Sequence, residues 1–363
     1  MIYNRLVSVF KSLSSVSRYV QFHAYNVLRL VNREIKTRPA IPLRRSVEAY
    51  RHGFVSASVP LFGLENDEYS RYLSDWQTER ARRINGELAI IHENKLLFHY
   101  VLEQEFPNRL PNAFAYIEDG YRPLPLSSVV EESLRACVNQ VGKVIVKPVG
   151  GALGDSIFLI ERSGEGYLIN EEPRTGEDVD HLSRNIERYV VTEFVEQADY
   201  SRSIYPHATN TIRIMTMVDP RTGEPFVCAV DHRFGTEDSK PVDNSAKGGV
   251  FTEIDLETGR LGKASTYPTD GTLPKHSVHP DSGARIEGVR IPEWTTVCEG
   301  VLEMAEYVAP MTPYVGWDVL ITDETGEFVT IEANSYPDLP LQAYKPLLDD
   351  ERTKSFYEHH GVV

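Results

Sequence analysis

The strongest constraint on the fold is a series of apolar runs that short polar turns join in pairs. Two such pairs are 211–234 and 317–334, and their turns contain Gly223 and Gly326. β-Branched residues dominate the runs, and glycine-containing connections of this length are typical of β-hairpins. The second half of the chain is therefore predicted to be rich in antiparallel strands.

Helical patterns lie between the predicted strands. Apolar residues recur three and four positions apart in 94–106 and 294–308, and a shorter helix is predicted over 133–140. A buried strand is predicted over 143–148, followed by a further hairpin over 156–170. Because strands and helices alternate irregularly and the hairpins are antiparallel, we expect an α+β chain with mixed sheets.

The first 51 residues differ from the rest of the chain in charge. They contain ten Lys and Arg residues against two acids, whereas the whole chain has a formal net charge of −15. Apolar residues recur at helical spacing from Ile2 to Ile35, and Pro39 and Pro42 end the pattern. Two interpretations stay open: a helix that packs on the acidic body, and a helix that also lies on an anionic membrane.

Charge and composition exclude several classes of protein. The acidic balance argues against nucleic acid as the main partner. No apolar run reaches the roughly 18 to 20 residues that a membrane span requires. Cys137, Cys228 and Cys298 are too scattered for a disulfide framework, and the N-terminal residues lack the pattern of a signal peptide. We therefore expect a reduced, cytoplasmic chain.

Three oxygen-bearing side chains lie on the hairpin 317–334. Asp318 is on its first strand, while Glu332 and Asn334 are two residues apart on the second and so share one face. Pairing of the two strands brings the three side chains together. Such a set suits Mg²⁺, a cation that prefers oxygen ligands. The alternative is a solvated hairpin face with ordinary acids.

A glycine-rich turn follows the predicted strand 143–148. Lys147 ends this strand, and the turn contains Gly150, Gly151 and Gly154. Glycines let backbone N–H groups approach phosphate oxygens, and a lysine neutralises their charge. The signal is weak alone, because the lysine precedes the glycines, unlike the order in a P-loop.

A further strand, 189–195, ends in an acid-rich segment. Glu193 could accept a hydrogen bond from the amino group of adenine, with the backbone of Phe194 and Val195 beside it. A plain buried strand with an exposed end is the alternative.

Together these residues resemble the ATP-grasp superfamily. The resemblance rests on Lys95, on Lys147 with its glycines, on the segment 193–196 and on the three hairpin residues, and it covers about 90–345. Several stretches are similar to the sugar-transfer-associated ATP-grasp group, which is related to glutamate-ligase-type enzymes. These stretches are 210–214, 233–235, 242–249, 279–283, 291–294 and 316–319.

The resemblance implies an ATP-grasp fold, in which two α+β lobes grip ATP. Residues 1–89 would form a helical N-terminal region, 90–190 the small lobe with its phosphate-covering loop, and 191–363 the large lobe with the Mg²⁺ site. Asp318, Glu332 and Asn334 would hold Mg²⁺ on the phosphates. The residues implied to bind ATP are Lys95, Lys147, Gly150, Gly151, Gly154, Ser156, Glu193, Phe194, Val195 and Glu196.

Two arginines are candidates for the reaction centre beside Lys147. Arg213 and Arg233 could clamp the γ-phosphate, an acylphosphate or a substrate carboxylate; the alternative is ordinary surface ion pairing. D-Alanine ligases carry an arginine immediately before the metal-binding aspartate, whereas this chain has Gly316 and Trp317 there. Which residue supports the reaction centre is therefore in doubt.

A turn and a histidine complete the predicted site. Asp243, Asn244, Gly248 and Gly249 are predicted to form a substrate-facing turn, although Asn244 could instead only fix the turn. His279 is predicted to be a structural or substrate-contacting residue rather than a zinc ligand, because no cysteine accompanies it.

The function that follows from the resemblance is an ATP- and Mg²⁺-dependent ligase. Such an enzyme makes an acylphosphate from a carboxylate, small or sugar-linked, and an amine or another nucleophile then displaces phosphate. A role in cell-surface polysaccharide or small-metabolite synthesis is one expectation. Two other functions stay open: a kinase with a stable phosphorylated product, and a non-catalytic nucleotide-binding scaffold.

Overall fold

The computed structural model describes residues 18–37, 41–125, 127–151, 156–268, 273–335 and 339–363. Within them, two antiparallel sheets are combined with short helices, which confirms the α+β class, with antiparallel rather than mixed sheets. The helices are α1 Arg18–Thr37, α2 Leu43–Arg51, α3 Ser58–Phe62, α4 Asp75–Ala81, α5 Ile90–Glu93, α6 Lys95–Leu102, α7 Leu134–Val141, α8 Gly176–Asn185, α9 Asp199–Ile204, α10 Trp294–Val308 and α11 Glu351–His359.

Thirteen strands form the two sheets in the described residues. The strands are β1 Ala113–Ile117, β2 Tyr121–Pro123, β3 Lys143–Pro148, β4 Phe158–Ser163, β5 Gly166–Ile169, β6 Glu172–Arg174, β7 Tyr189–Glu193, β8 Ile212–Val218, β9 Pro225–Phe234, β10 Val250–Ile254, β11 Leu261–Ser265, β12 Tyr314–Ile321 and β13 Phe328–Asn334.

The first sheet has seven strands in the order β2-β1-β7-β3-β4-β5-β6. The predicted hairpin over 156–170 is present as the antiparallel pair β4–β5. Alternate residues of the central strands, such as Val144 and Val146, point into one core with Cys137 and Val138 of α7. Helix α7 packs on one face of this sheet, and the opposite face is available for other contacts.

The second sheet has six strands in the order β11-β10-β9-β8-β12-β13. Its hairpins β8–β9 and β12–β13 are those that the sequence predicts. Every residue of β12 is buried, because α10 covers one face while α11 and the N-terminal helices cover the other. The central strands of this sheet are therefore rigidly held, and they carry the predicted metal residues.

The N-terminal region packs on the second sheet. Phe54 and Phe62 share a core with Phe251 of β10, and Leu73 shares another with Phe356 of α11. Helix α6, assigned by sequence to the small lobe, places Phe98 in the core of the second sheet. The apolar stripe of α6 thus joins the segment that carries Lys95 to the large lobe.

Helix α1 contacts the body through its basic side chains. Arg29 forms an ion pair with Glu79 at 3.0 Å, and Arg33 forms one with Asp75 at 2.5 Å. The predicted contact with the acidic body is confirmed for this part, whereas the helix predicted over 2–17 lies outside the described residues. No helix in the described ranges combines the length and apolar character that crossing a bilayer requires.

Candidate active site

A cleft of about 730 Å³ lies between the two sheets. Its walls come from β3, β4 and β7 of the first sheet and from β8, β9, β12 and β13 of the second. Most of the residues singled out in the sequence line this single cleft. They are Lys95, Lys147, Gly150, Gly151, Ser156, Glu193, Phe194, Val195, Glu196, Arg213, Arg233, Asp243, Asn244, Asp318, Glu332 and Asn334.

Strand register assembles one end of the cleft. Asp318 on β12 pairs with Glu332 on β13 and, on its other side, with Arg213 on β8. Arg213 donates from Nε to Oδ1 of Asp318 at 2.6 Å and from Nη2 to Oδ2 at 3.1 Å. The Asn334 amide lies 3.4 Å from Asp318 Oδ2. The three predicted metal residues are thus brought together, with Arg213 bound to one of them.

Arg233 adds a second guanidinium at this end. Its Nε donates to Asp231 at 3.1 Å, and its Nη1 lies 3.9 Å from Asp318 Oδ1. Both predicted arginines therefore face the carboxylate that would hold a metal. D-Alanine ligases carry an arginine immediately before the aspartate, whereas here β8 and β9 supply guanidinium groups beside this carboxylate.

The two carboxylates influence each other strongly. Burial raises the pKa of Asp318, Arg213 and Arg233 oppose the rise, and the like charge of Glu332 adds to it. Burial also acts to raise the pKa of Glu332, but Lys95 and the hydrogen bond with Asp318 outweigh it and lower this pKa. Asp318 and Glu332 therefore titrate as a coupled pair.

The donor set is suited to a hard cation. It consists of two carboxylates and one amide, all of which offer oxygen. The donor set is not a cluster of three His, Cys, Asp or Glu side chains, and the described residues contain no such cluster arranged to hold a metal. Because phosphate oxygens complete the coordination of Mg²⁺ in nucleotide sites, a sparse protein set fits that ion.

Two lysines reach the same end from the first sheet and from α6. Lys147 is buried at the end of β3 and donates to the Ile331 carbonyl at 3.0 Å. Lys95 begins α6, and its Nζ lies 3.2 Å from both the Gly151 carbonyl and Glu332 Oε2. Burial and, next, the like charge of the nearby Lys95 lower the pKa of Lys147 to about 8, against the attraction of Glu332 and Asp318.

The glycine loop is fastened where it leaves β3. The Lys95 amide donates to the Val149 carbonyl at 2.8 Å, and Asn94 forms a bridge with Gly150. Gly151 has a φ of +113°, which a residue with a side chain rarely adopts. Gly154 lies outside the described residues. The described part of the loop therefore holds its backbone beside the two lysines.

The opposite end of the cleft combines apolar and charged side chains. Ile145, Ile157 and Leu159 line it together with the segment that follows β7. Glu193 was expected to face adenine, but its carboxylate accepts hydrogen bonds from the Asn112 amide at 3.2 Å and side chain at 2.7 Å. The antiparallel pairing of β1 with β7 places Asn112 there.

Beyond Glu193, the chain continues along the cleft. The Lys143 ammonium lies 3.9 Å from the centroid of the Phe194 ring and 4.0 Å from Glu196. Phe194, Val195 and Glu196 all line the cleft. This side of the cleft thus combines apolar walls with the polar edge of this segment.

The predicted substrate-facing turn is only partly at the cleft. Asp243 is held by the amide and hydroxyl of Thr211, at 2.7 and 2.6 Å. The Asn244 side chain caps the short helix Ser245–Lys247. Gly248 and Gly249 do not line the cleft; a Cβ on Gly249 would lie 2.6 Å from the Asp243 carbonyl. These two glycines serve the backbone of the turn.

His279 is structural. It is fully buried, its Nε2 lies 2.7 Å from the Gly235 carbonyl, and its ring stacks on Tyr205. It does not line the cleft, and these contacts favour the structural alternative over a substrate contact. Burial lowers the pKa of His279, which favours the neutral ring.

Sequence reasoning missed further cleft residues. Arg82, from the segment after α4, and Tyr267, after β11, both line the cleft, as do Arg202 and His207. Each is a lone polar residue outside any recognisable motif. Only the packing of the N-terminal region on the second sheet brings Arg82 to the cleft.

Residues 78–353 match the sugar-transfer-associated ATP-grasp family. The chain belongs to this family. Its fold is the ATP-grasp fold, and members of this superfamily are ATP-binding ligases. The match begins before the predicted boundary at residue 90 and includes Arg82.

Several solved structures are similar to this ATP-grasp chain. An L-amino acid ligase from Bacillus licheniformis is 12% identical over 70% of this chain and 43% of its own, with a TM-score of 0.38. A biotin carboxylase from Campylobacter jejuni is 9% identical over 76% and 48%, at 0.44. The D-alanyl-alanine synthetase A from Vibrio cholerae is 12% identical over 76% and 62%, at 0.39.

This ATP-grasp chain spans less than two thirds of the length of each of these structures. No curated protein matches it significantly. The family match therefore establishes membership, and the chemistry must be argued from the cleft.

Proposed function

We propose that this protein is a carboxylate–amine ligase that consumes ATP and forms an acylphosphate intermediate. One observation carries the proposal. Two lysines, two arginines, two carboxylates and an amide converge at one end of a cleft whose other end combines apolar and charged side chains. Phosphoryl transfer requires positioning and charge neutralisation more than a covalent nucleophile, and this set provides both.

The lysines are proposed to hold the phosphates. Lys147 is buried and fixed by the backbone of β3, and Lys95 lies beside the carbonyl of Gly151. The triphosphate of ATP is proposed to extend from the glycine loop to the carboxylates, within reach of both ammonium groups. Adenine would occupy the opposite end, where Glu196 and the backbone of Val195 rather than the carboxylate of Glu193 offer polar contacts.

Asp318, Glu332 and Asn334 are proposed to hold Mg²⁺. When bound, this ion neutralises the phosphates and orients them for transfer. Arg213 fixes the Asp318 carboxylate by two hydrogen bonds, so that its oxygens keep one orientation. Arg233 lies next to the same carboxylate and is proposed to stabilise charge on the acylphosphate.

The acid substrate is proposed to bind beside Arg233, against the wall that carries Arg82, Asn244 and Tyr267. This wall offers guanidinium, amide and phenol groups, which suit a small or sugar-linked carboxylate. The family description favours a sugar-linked acid and a role in cell-surface polysaccharide synthesis. Free thiols at Cys137, Cys228 and Cys298 favour the cytoplasm as the place of reaction.

The test is product analysis with the full chain. ATP, Mg²⁺ and a panel of sugar acids and amino acids would be incubated with the protein, and phosphate release and product masses measured. Amide formation with stoichiometric phosphate release supports the ligase. A stable phosphorylated acceptor would instead establish a kinase, and ATP binding without turnover on any acid would favour a scaffold. Lys147→Met serves as the inactive control.

A further inference from the structure

Three aliphatic residues of helix α1 are exposed and lie away from its ion pairs with the body. Its basic residues Arg29 and Arg33 pair with Glu79 and Asp75, and Asn26 is buried on the same side. Val27 and Val31 are each 50% exposed and Ile35 is 76% exposed, one helical turn apart. An amphipathic helix usually buries such a stripe. The ion pairs hold this one outward.

Helix α2 extends the exposed apolar surface. Leu43, Val47 and Tyr50 lie three and four residues apart on it, and all three are exposed. Glu34 joins the two helices, because it accepts hydrogen bonds from the Tyr50 hydroxyl at 2.7 Å and from the Ser56 amide at 2.8 Å. We call the six exposed residues the N-terminal face: Val27, Val31, Ile35, Leu43, Val47 and Tyr50.

The surroundings of the N-terminal face are basic. Lys36, Arg44 and Arg51 are exposed on the same two helices. Of the two acids in the first 51 residues, Glu34 is engaged between the helices and Glu48 lies 3.8 Å from Arg51. An apolar stripe with Lys and Arg at its margins is the pattern of helices that lie in the interface of anionic membranes.

Other occupants fit this face less well. A second copy would place two strongly basic segments against each other, which their like charges oppose. The sequence of residues 2–20 repeats the apolar spacing of the face and adds Arg5, Lys11 and Arg18. That segment therefore resembles the face in chemistry and does not complement its charge.

We propose that the N-terminal face docks the protein onto an anionic lipid bilayer. Aliphatic side chains enter the boundary between headgroups and acyl chains, while Lys36, Arg44 and Arg51 contact the anionic headgroups. Because the face lies on helices that pack on the second sheet, the docked enzyme would hold its cleft at a fixed position relative to the membrane. This proposal is independent of the reaction in the cleft.

The experiment is co-sedimentation of the full chain with vesicles. Phosphatidylcholine vesicles are compared with vesicles that also contain phosphatidylglycerol. The protein is expected to bind the anionic vesicles, more weakly at high salt, and not the neutral ones. The triple variant Val27→Asn, Val31→Asn, Ile35→Asn is expected to bind at least about tenfold more weakly, since three aliphatic contacts are lost.

Two further variants make the test specific. Val130→Asn, Leu256→Asn, Val278→Asn changes three exposed apolar residues elsewhere and is expected to bind as the parent does. Lys36→Gln, Arg44→Gln, Arg51→Gln is expected to lose about fivefold in affinity per charge, and it tests the proposal even where the asparagine variant folds poorly.

Three outcomes would overturn the proposal. The first is equal vesicle binding by the face variant and its control. The second is a dimer without vesicle affinity that becomes monomeric in the face variant, which would make a second copy the occupant. The third is absence of vesicle binding together with a lower melting temperature of the face variant. This result would show that another segment of the same chain covers the N-terminal face.

Discussion

The two ends of the cleft are built differently. At the metal end, Arg213, Asp318 and Glu332 lie on three adjacent strands whose register fixes their spacing. At the opposite end, Phe194, Val195 and Glu196 belong to the segment that follows the end of β7. Strands hold side chains more firmly than loops do. The comparison predicts that changes at the metal end have larger effects, and four variants test this order.

The largest expected effect is the loss of stability in Arg213→Met. This change leaves the buried Asp318 carboxylate without its bidentate partner, and breaking a buried ion pair typically costs about 3–5 kcal/mol. Urea unfolding measures it. Arg202→Met, which removes an exposed ion pair with Asp199, is the control and is expected to lose at most about 1 kcal/mol. Equal losses would contradict the rigid metal end.

The second effect is the loss of turnover in Glu332→Gln. The change removes one anionic ligand, and we expect the rate of ATP consumption to fall at least about 100-fold. Since Glu332 keeps partial solvent exposure, the free energy of unfolding should change little. Glu327 lies on the same hairpin, and the control variant Glu327→Gln should keep full activity. Near-normal turnover of Glu332→Gln at ordinary Mg²⁺ would show that the metal site lies elsewhere.

The third effect concerns Lys147, which links the two ends. Lys147→Met keeps the length of the side chain and removes its charge, so ATP affinity should fall about 10- to 150-fold. Lys263→Met removes an exposed lysine of β11 and is the control. An unchanged dissociation constant of ATP in Lys147→Met would show that this lysine has only a structural role.

The same lysine predicts a pH dependence. Its pKa in the free protein is lowered to about 8, and phosphate binds the ammonium form. The dissociation constant of ATP should therefore be flat below pH 8 and rise above it, by at most about tenfold per pH unit. Isothermal titration calorimetry across pH 7 to about 9.5 should show this rise in the parent and not in Lys147→Met.

The smallest effect is expected for Gly151→Ala in the glycine loop. A Cβ at φ +113° strains the loop by about 1 kcal/mol, or about fivefold in ATP affinity. Gly164→Ala is the control: it places a Cβ at φ +59° in the β4–β5 turn, which does not line the cleft, and it should leave ATP binding unchanged. A loss larger than that of Lys147→Met would contradict the proposed order of effects.

The sequence predicts the metal end because hairpin geometry is local. Glycine-containing turns and β-branched runs place Asp318 opposite Glu332, and the observed register confirms that pairing. Arg213 could not be paired with Asp318 in advance, because the pairing of β8 with β12 joins residues 105 positions apart. The apolar pattern of a strand does not reveal which distant strand will pair with it.

Other elements escaped prediction for physical reasons. Helix α8 contains only two apolar residues, Val179 and Leu182, so its sequence pattern is short, and Thr175 caps its start. The segment 66–81 is divided into two short helices, because Ser74 caps a new helix at Asp75. His279 was ambiguous because a buried histidine and a substrate contact look alike in sequence. Tertiary packing decides each of these cases.

The lysine–carboxylate contact at Glu332 has a consequence for the order in which ligands arrive. Without nucleotide, Lys95 neutralises Glu332 and Arg213 neutralises Asp318, so the protein's own cations already satisfy both acids. A free divalent ion therefore meets little net negative charge. If phosphates bind Lys95, Glu332 loses this partner and becomes available to a cation. On the proposed metal assignment, Mg²⁺ would therefore bind together with the nucleotide rather than before it.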